Sequence, residues 1–352
     1  MISNPSILFG LNAMEELDQW FAKHGSRYSK VIALVDENTM EHCMPEFAGS
    51  LENLTDFELL EIEAGESSKS SEILFQLISA LQELGADRSS LLINLGGGVV
   101  CDLGGFLAST YMRGIHFINI PTSLLAMTDA AHGGKTGVDH NGIKNLMGSF
   151  THPQCTLIWT DFLATLPKKE YENGYAEMLK HGLISDRNLW NSLSQSWINK
   201  EEIGPYLEKS IQIKTEIVEA DPHELNERKK LNFGHSTAHA IESYFLLKEM
   251  EVSHGWAVAA GILVEAELSE MKSRLPFIEK DEIVSRIKAL YSFELLKGLK
   301  VEDLHPHLLN DKKNRNHALL FVLLSEIGKA VVNVPIDFTE FDLAWKKCFG
   351  NV

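Results

Sequence analysis

Residues 90–114 read SLLINLGGGVVCDLGGFLASTYMRG. An apolar run of strand length meets three glycines and then a helical pattern, so the segment reads as strand, glycine turn, helix. Similar units surround it. KVIALVDE (Lys30 to Glu37) reads as a short buried strand, and SSEILFQLISALQELGA as a helix that ends at a glycine. IHFINIPTSLLA reads as a further strand closing at Pro121. Strands that alternate with helices form a parallel, doubly wound sheet, whose ligands bind at the strand C-termini. From about Leu166 the style changes. KKEYENGYAEMLKHGLI, YLEKSIQIKTEIVEA and WAVAAGILVEAELSEMKSRL all have helical period, and only LLFVLL suggests a later strand. The expected fold is an α/β N-terminal domain with a parallel nucleotide-binding sheet, plus a mainly α-helical C-terminal domain. The boundary falls between residues 166 and 167, and a cleft between the domains is the default site.

At 352 residues the chain is long enough for two cores. Its net charge of -17 argues against nucleic acid or an anionic membrane as partner. Cys43, Cys101, Cys155 and Cys348 form no CxxC pair, which fits a reduced, cytoplasmic setting. The first residues lack the pattern of a signal peptide, and no apolar run has the length of a membrane span.

Four stretches carry chemistry. Gly96, Gly97 and Gly98 lie between strand and helix, where backbone can approach a pyrophosphate; a tight turn with small-residue packing is the plainer reading. The spacing is not GxGxxG. TDAAHGGKTGVDHNGIKNLMGSF (Thr128 to Phe150) gathers Gly, Asp, Lys and Asn, as in a loop that wraps an oxygen-rich ligand or simply a solvated loop. It is no P-loop, because Asp129 stands where GxxxxGK[ST] needs glycine. GYAEMLKHG places Glu177, Lys180 and His181 on one helix face, where an exposed ion pair is the bland alternative. KTEIVEADPHELNERKKLNFGH adds Lys214, Glu224, Arg228 and Asn232 ahead of His235, with His239 and His254 beyond. An open metal site needs about three His or carboxylate ligands, which Glu177 and two of these histidines could supply.

The stretches GGGVVCDLGGFLASTYMRG, IPTSLLAMTDAAHGGKTG, KNLMGSF, GYAEMLKHGLI, LNFGHSTAHAIE, SHGWAVAAG and DKKN occur in this order. The ordered set resembles the 3-dehydroquinate synthases of the sugar phosphate cyclase family, from roughly Val31 to Gly328. The resemblance implies NAD in the N-terminal domain and a divalent metal, zinc or else Co2+, in the helical one. NAD would be held by Asp36, Glu66, Lys69, Gly97, Gly98, Val99, Asp102, Thr122, Ser123, Leu125, Lys144 and Thr165. The metal would be held by Glu177, His235 and His254. Substrate would meet Asp129, Lys135, Asn145, Lys180, Lys214, Arg228, Asn232, His239 and a lysine of Asp311-Lys312-Lys313, taken as Lys312. Glu224 would join this polar network, and Arg113 would reach a neighbouring subunit, which implies a homodimer.

The implied reaction is that of a phosphate lyase in the shikimate pathway. A ring carbinol of 3-deoxy-D-arabino-heptulosonate 7-phosphate is oxidised by NAD, phosphate leaves by β-elimination, the hydride returns, the ring opens and an aldol step closes the carbocycle. Two departures from the family pattern stand out. Ala130, Ala131 and His132 replace two serines and a small apolar residue, and Cys101 replaces a common glycine. His132, embedded in the GGK loop, is expected near the substrate or nicotinamide, against the alternative of a surface histidine. The competing readings are a sister cyclase for another heptulose or hexose phosphate, a metal-dependent polyol dehydrogenase that releases NADH, and a degenerate nucleotide-binding module. Lys214, Arg228, Asn232 and His239 favour the first reading over the sister cyclase.

Overall fold

The structure is a computed structural model that describes residues 6–10, 12–141, 143–309 and 319–350. The chain divides into two compact units, Met1–Tyr171 with Lys200–Gly204, and Glu172–Asn199 with Pro205–Val352.

The first unit is built on six parallel strands: β1 (Ser6–Phe9), β2 (Val31–Asp36), β3 (Glu58–Ile62), β4 (Leu91–Gly96), β5 (His116–Pro121) and, after a two-stranded excursion, β8 (Cys155–Ile158). Their order is β1-β8-β5-β4-β2-β3. The chain steps outward from β2 to β3 and then returns to β4, so the strand order reverses between β2 and β4, where a doubly wound sheet opens a crevice. β4 is buried throughout, as a central parallel strand must be. Leu74, Leu77 and Leu81 of the helix Ser71–Glu83 join Leu92, Leu103 and Phe117 in one core. Each such side chain stabilises the unit by about 1.5–3 kcal/mol. The helix Gly98–Thr110 lies directly on the sheet. A Cβ on its Gly104 would fall 1.9 Å from Asn94 Oδ1, so only glycine allows this approach.

The stretch expected to be a loop around the GGK sequence is largely a hairpin. After a π-helical turn at Ala126–Ala130, β6 (Lys135–His140) pairs antiparallel with β7 (Ile143–Phe150). The pairing rests on Gly137 opposite Gly148, where a Cβ on either would meet the partner backbone at 2.7 or 2.5 Å. Lys, Asn, Asp and Gly are poor strand formers, which hides the hairpin from a reading by propensity.

The second unit is mainly helical. It receives most of the helix Lys168–Ser185, followed by the helices Gly204–Ala220, His235–Leu246, His254–Lys272, Phe277–Leu290 and Phe338–Phe349. From Ala257 to Ser269 the helix His254–Lys272 is buried on every side, and its apolar residues run all round it. LLFVLL lies in β9 (Leu319–Glu326), and a second strand that its sequence did not announce, β10 (Lys329–Ile336), pairs with it. The pairing shifts register between Val331 and Val334, with Asn333 at φ 58°, as at a β-bulge. Among the described residues, no helix is long and apolar enough to cross a membrane.

Candidate active site

Glu177 is the centre of the second unit's polar interior. It lies on the helix Lys168–Ser185 with no exposed surface, and Lys180 and His181 are equally buried on the same face. The exposed-pair reading of Glu177 and Lys180 is therefore excluded.

Two glycine contacts bring the histidines to it. Gly255, next to His254, donates its N–H to Asn173 Oδ1 at 2.6 Å, and a Cβ there would fall 1.9 Å from the Asn173 carbonyl oxygen. Asn173 precedes Glu177 by one helical turn, so this docking sets the start of the helix His254–Lys272 over Glu177. Gly234, at φ 82°, caps the helix that begins at His235. Its N–H donates to the buried Glu265 carboxylate at 2.6 Å, and Thr237 donates to the same group. The turn that aims His235 is thus held from the helix His254–Lys272.

The result is a triangle. Glu177 Oε1 lies 3.5 Å from His235 Nε2 and 3.5 Å from His254 Nε2. Potential ligand atoms of the three residues all lie within 4.8 Å of one another. Lys180 forms an ion pair with the Glu177 carboxylate, whose Oε1 faces both imidazoles. Oxygen and nitrogen ligands at about 2.0–2.2 Å around a tetrahedral ion stand about 3.3–3.6 Å apart, and both Glu177–histidine edges have that spacing. Burial works against a charged Glu177, but Lys180 and the two imidazoles outweigh it and hold the carboxyl well below its usual range. Burial and then the Lys180 ammonium hold His235 far below an ordinary histidine. Burial opposes a charged His254 too, yet the Glu242 and Glu177 carboxylates push it up to about 10. His239 is exposed, its ring 5.6 Å from that of His235.

The second unit holds further polar groups. His181 shares a 2.7 Å hydrogen bond with Ser210 on the helix Gly204–Ala220, and Lys214 follows one turn later on the same face, buried. The segment that follows carries Glu224, Arg228 and Asn232. Asn232 Nδ2 donates to Glu224 Oε1 at 2.7 Å, and Arg228, buried, donates to the Pro222 carbonyl. Asp221 organises this segment by accepting from the amides of Leu225, Asn226 and Arg228. Those amides, Asn226 first, hold its carboxyl below the usual range.

In the first unit, Asp36 ends β2 and caps the next helix through Thr39. Gly97, Gly98 and Val99 open the helix Gly98–Thr110, whose N-terminus has no side-chain cap. Asp102, one turn on, is paired with the buried Lys69 at 2.5 Å, and Glu66 lies in the turn just before Lys69. Burial disfavours the Lys69 ammonium, but Asp102 and Glu66 more than restore it. Thr122 and Ser123 follow β5 beside this turn: Thr122 N–H donates to the Gly96 carbonyl, and a Cβ on Gly97 would lie 3.5 Å from Ser123 Oγ. Leu125 leads into the π-helical turn that carries Asp129. Lys135 opens β6, and Lys144 and Asn145 lie on β7, with the Asn145 amide bonded to Asp139. His132 is not on the surface; it is buried with Nε2 2.7 Å from the Met127 carbonyl oxygen. Arg113 is exposed, and it and Met112 take positive φ values of 71° and 49°. Thr165 is also exposed. Lys312 lies outside the described residues.

A family profile described as 3-dehydroquinate synthase N-terminal matches residues 59–173, and its C-terminal counterpart matches residues 174–314. The chain belongs to the 3-dehydroquinate synthase family. Within that family it is 41% identical to the 3-dehydroquinate synthase of Parabacteroides distasonis over 88% of each chain. It is also 41% identical to that of Clostridium perfringens strain SM101, over 80% of this chain and 81% of the relative. A solved structure of 2-epi-5-epi-valiolone synthase from Streptomyces hygroscopicus with NAD+ and Zn2+ bound superposes with a TM-score of 0.84 at 25% identity, covering 99% of this chain and 97% of that one. A 2-deoxy-scyllo-inosose synthase complexed with carbaglucose-6-phosphate, NAD+ and Co2+ gives 0.85 at 22%, covering 97% and 96%.

Sequence reasoning within the 3-dehydroquinate synthase frame passed over several residues that build the site. Asn173, Asp221, Glu242 and Glu265 were not singled out. Three left a faint signal: Asp221 stands before a proline, and Glu265 is an acid that interrupts an apolar run. Glu242 falls seven residues after His235, on the same helix face.

Proposed function

We propose that the protein is a 3-dehydroquinate synthase that converts 3-deoxy-D-arabino-heptulosonate 7-phosphate to 3-dehydroquinate and phosphate. The observation that carries this reading is the Glu177, His235 and His254 triangle, in a chain of this family, with Lys180 paired to Glu177 and with Lys214 and Arg228 buried in the same unit. The donor set and its spacing suit a divalent cation, zinc in our reading, and the uncapped helix N-terminus at Gly97 and Gly98 suits the pyrophosphate of NAD. When bound, NAD would supply a reversible hydride acceptor and the cation a Lewis acid at the reacting oxygen.

The chain's own residues would do the rest. Lys69 and Asp102, with Asp36, Glu66, Val99, Thr122, Ser123, Leu125, Lys144 and Thr165, are assigned to the NAD pocket. Lys180, Lys214, Arg228, Asn232 and His239, with Asp129, Lys135, Asn145 and Lys312, are assigned to substrate. A buried lysine or guanidinium is a strong partner for carboxylate or phosphate because water does not compete there. Glu224 fixes the Asn232 carboxamide, which spares the site the entropy of ordering it during reaction. Arg113 is assigned to the substrate phosphate of a second copy, so the working form would be a homodimer.

Incubation with the heptulosonate phosphate, NAD and a divalent metal tests this. Release of phosphate with carbocycle formation, over many turnovers per NAD and with no net NADH, is the expected result. NADH that accumulates in step with product would instead establish a polyol dehydrogenase.

A further inference from the structure

The two site histidines are steadied from behind by different groups. His235 Nδ1 lies 3.2 Å from the backbone carbonyl of Phe233, two residues away. His254 Nδ1 instead faces the side chain of Glu242 at 3.5 Å. The opposite nitrogen of each ring, Nε2, is the one turned to Glu177. Glu242 is no solvated surface acid, for its side chain is only 12% exposed. On the helix His235–Leu246 it stands three residues after His239 and seven after His235, so it shares their face.

We infer that Glu242 is a positioning residue for His254: its carboxylate accepts the Nδ1–H, fixes the tautomer that leaves the Nε2 lone pair toward Glu177, and so strengthens the grip of the three-residue site on a divalent cation. A neutral imidazole offers a lone pair at only one nitrogen, and a hydrogen bond at the other decides which. A carboxylate in that place also makes the ring more basic and a better ligand, an effect a backbone carbonyl supplies more weakly. The 3.5 Å separation is that of an ion pair, and about half an ångström of side-chain movement makes it a hydrogen bond. The inference rests on the reading that Glu177, His235 and His254 hold a divalent cation.

The test is cation binding to full-length, metal-stripped protein, titrated with Co2+ against a competing chelator and followed in the visible spectrum. The parent, Glu242→Gln, Glu242→Ala and His254→Ala are compared, with NAD affinity and metal-free thermal stability as controls. The parent is expected to take one equivalent, and His254→Ala to lose tight binding. Glu242→Gln, which keeps the shape, is expected to bind about 10-fold more weakly, and Glu242→Ala up to about 100-fold, each with a shifted Co2+ band and unchanged NAD affinity. Glu242 variants that bind Co2+ within twofold of the parent, while His254→Ala does not, would overturn the positioning role and leave the metal site standing. Weaker binding with an unshifted band and a matching loss of metal-free stability would make Glu242 structural and overturn it too. Equal binding by parent and His254→Ala would remove the metal site itself, and the inference with it.

Discussion

Gly261 and Gly234 meet so closely that a Cβ on Gly261 would fall 1.9 Å from the Gly234 carbonyl oxygen. This contact lets the helix His254–Lys272 press against the turn that starts at His235, and Glu265 on the same helix then holds the turn's amide. Gly261→Ala is therefore expected to destabilise the protein by about 1–3 kcal/mol, as overpacking does, and to lower its metal content. Urea unfolding and elemental analysis check both.

The three histidines are predicted to separate by metal content. His235→Ala and His254→Ala should each lose tightly bound cation, whereas His239→Ala should keep it and lose activity. His235 and His254 both face Glu177, and the exposed His239 does not take part in that triangle. Full zinc in His254→Ala with none in His239→Ala would identify the pair four residues apart as the ligands.

Lys69 and Asp102 form an ion pair in the first unit, with both side chains largely covered. Lys69→Met leaves a poorly solvated carboxylate and is expected to cost about 1–3 kcal/mol. Lys69→Met/Asp102→Leu should be less destabilised than Lys69→Met, because the stranded charge is gone. NAD affinity, measured by calorimetry, should fall in both if the pair belongs to the pocket.

Asp221 gives a prediction with a definite sign. Its folded pKa lies below its unfolded value because backbone amides stabilise the carboxylate. It therefore stabilises the fold above about pH 3.9, and that contribution disappears as pH falls through the lower folded value. Asp221→Asn should have a lower urea midpoint than the parent at pH 7 and at pH 5. The gap should close on further acidification; a gap that widens in acid would contradict this role.

Arg113 is predicted to complete the site of another copy. Arg113→Ala mixed with Lys135→Ala should regain activity through hybrid dimers, up to about a quarter of the parent's when subunits assort at random. Exchange of subunits without any recovery would place Arg113 elsewhere.

Much of the first unit was legible because its information is local. A strand shows itself within a few residues, as in β4, and a glycine turn between strand and helix adjoins both. The helical period of WAVAAGILVEAELSE likewise announced a helix. The β6–β7 hairpin was not legible, because what stabilises it is a glycine opposite a glycine rather than strand-forming side chains.

The site divides along the same line. Sequence alone put Glu177 and Lys180 on one helix face, and His235 with His239 on another, since spacing on a helix fixes such pairs. It could not choose between His239 and His254 as the second neighbour of Glu177 without appeal to resemblance. Tertiary structure made that choice, through Gly255 on Asn173, 82 residues apart, and Glu265 on Gly234, 31 residues apart. Contacts at such separations depend on how whole helices pack, and no local period or spacing records them.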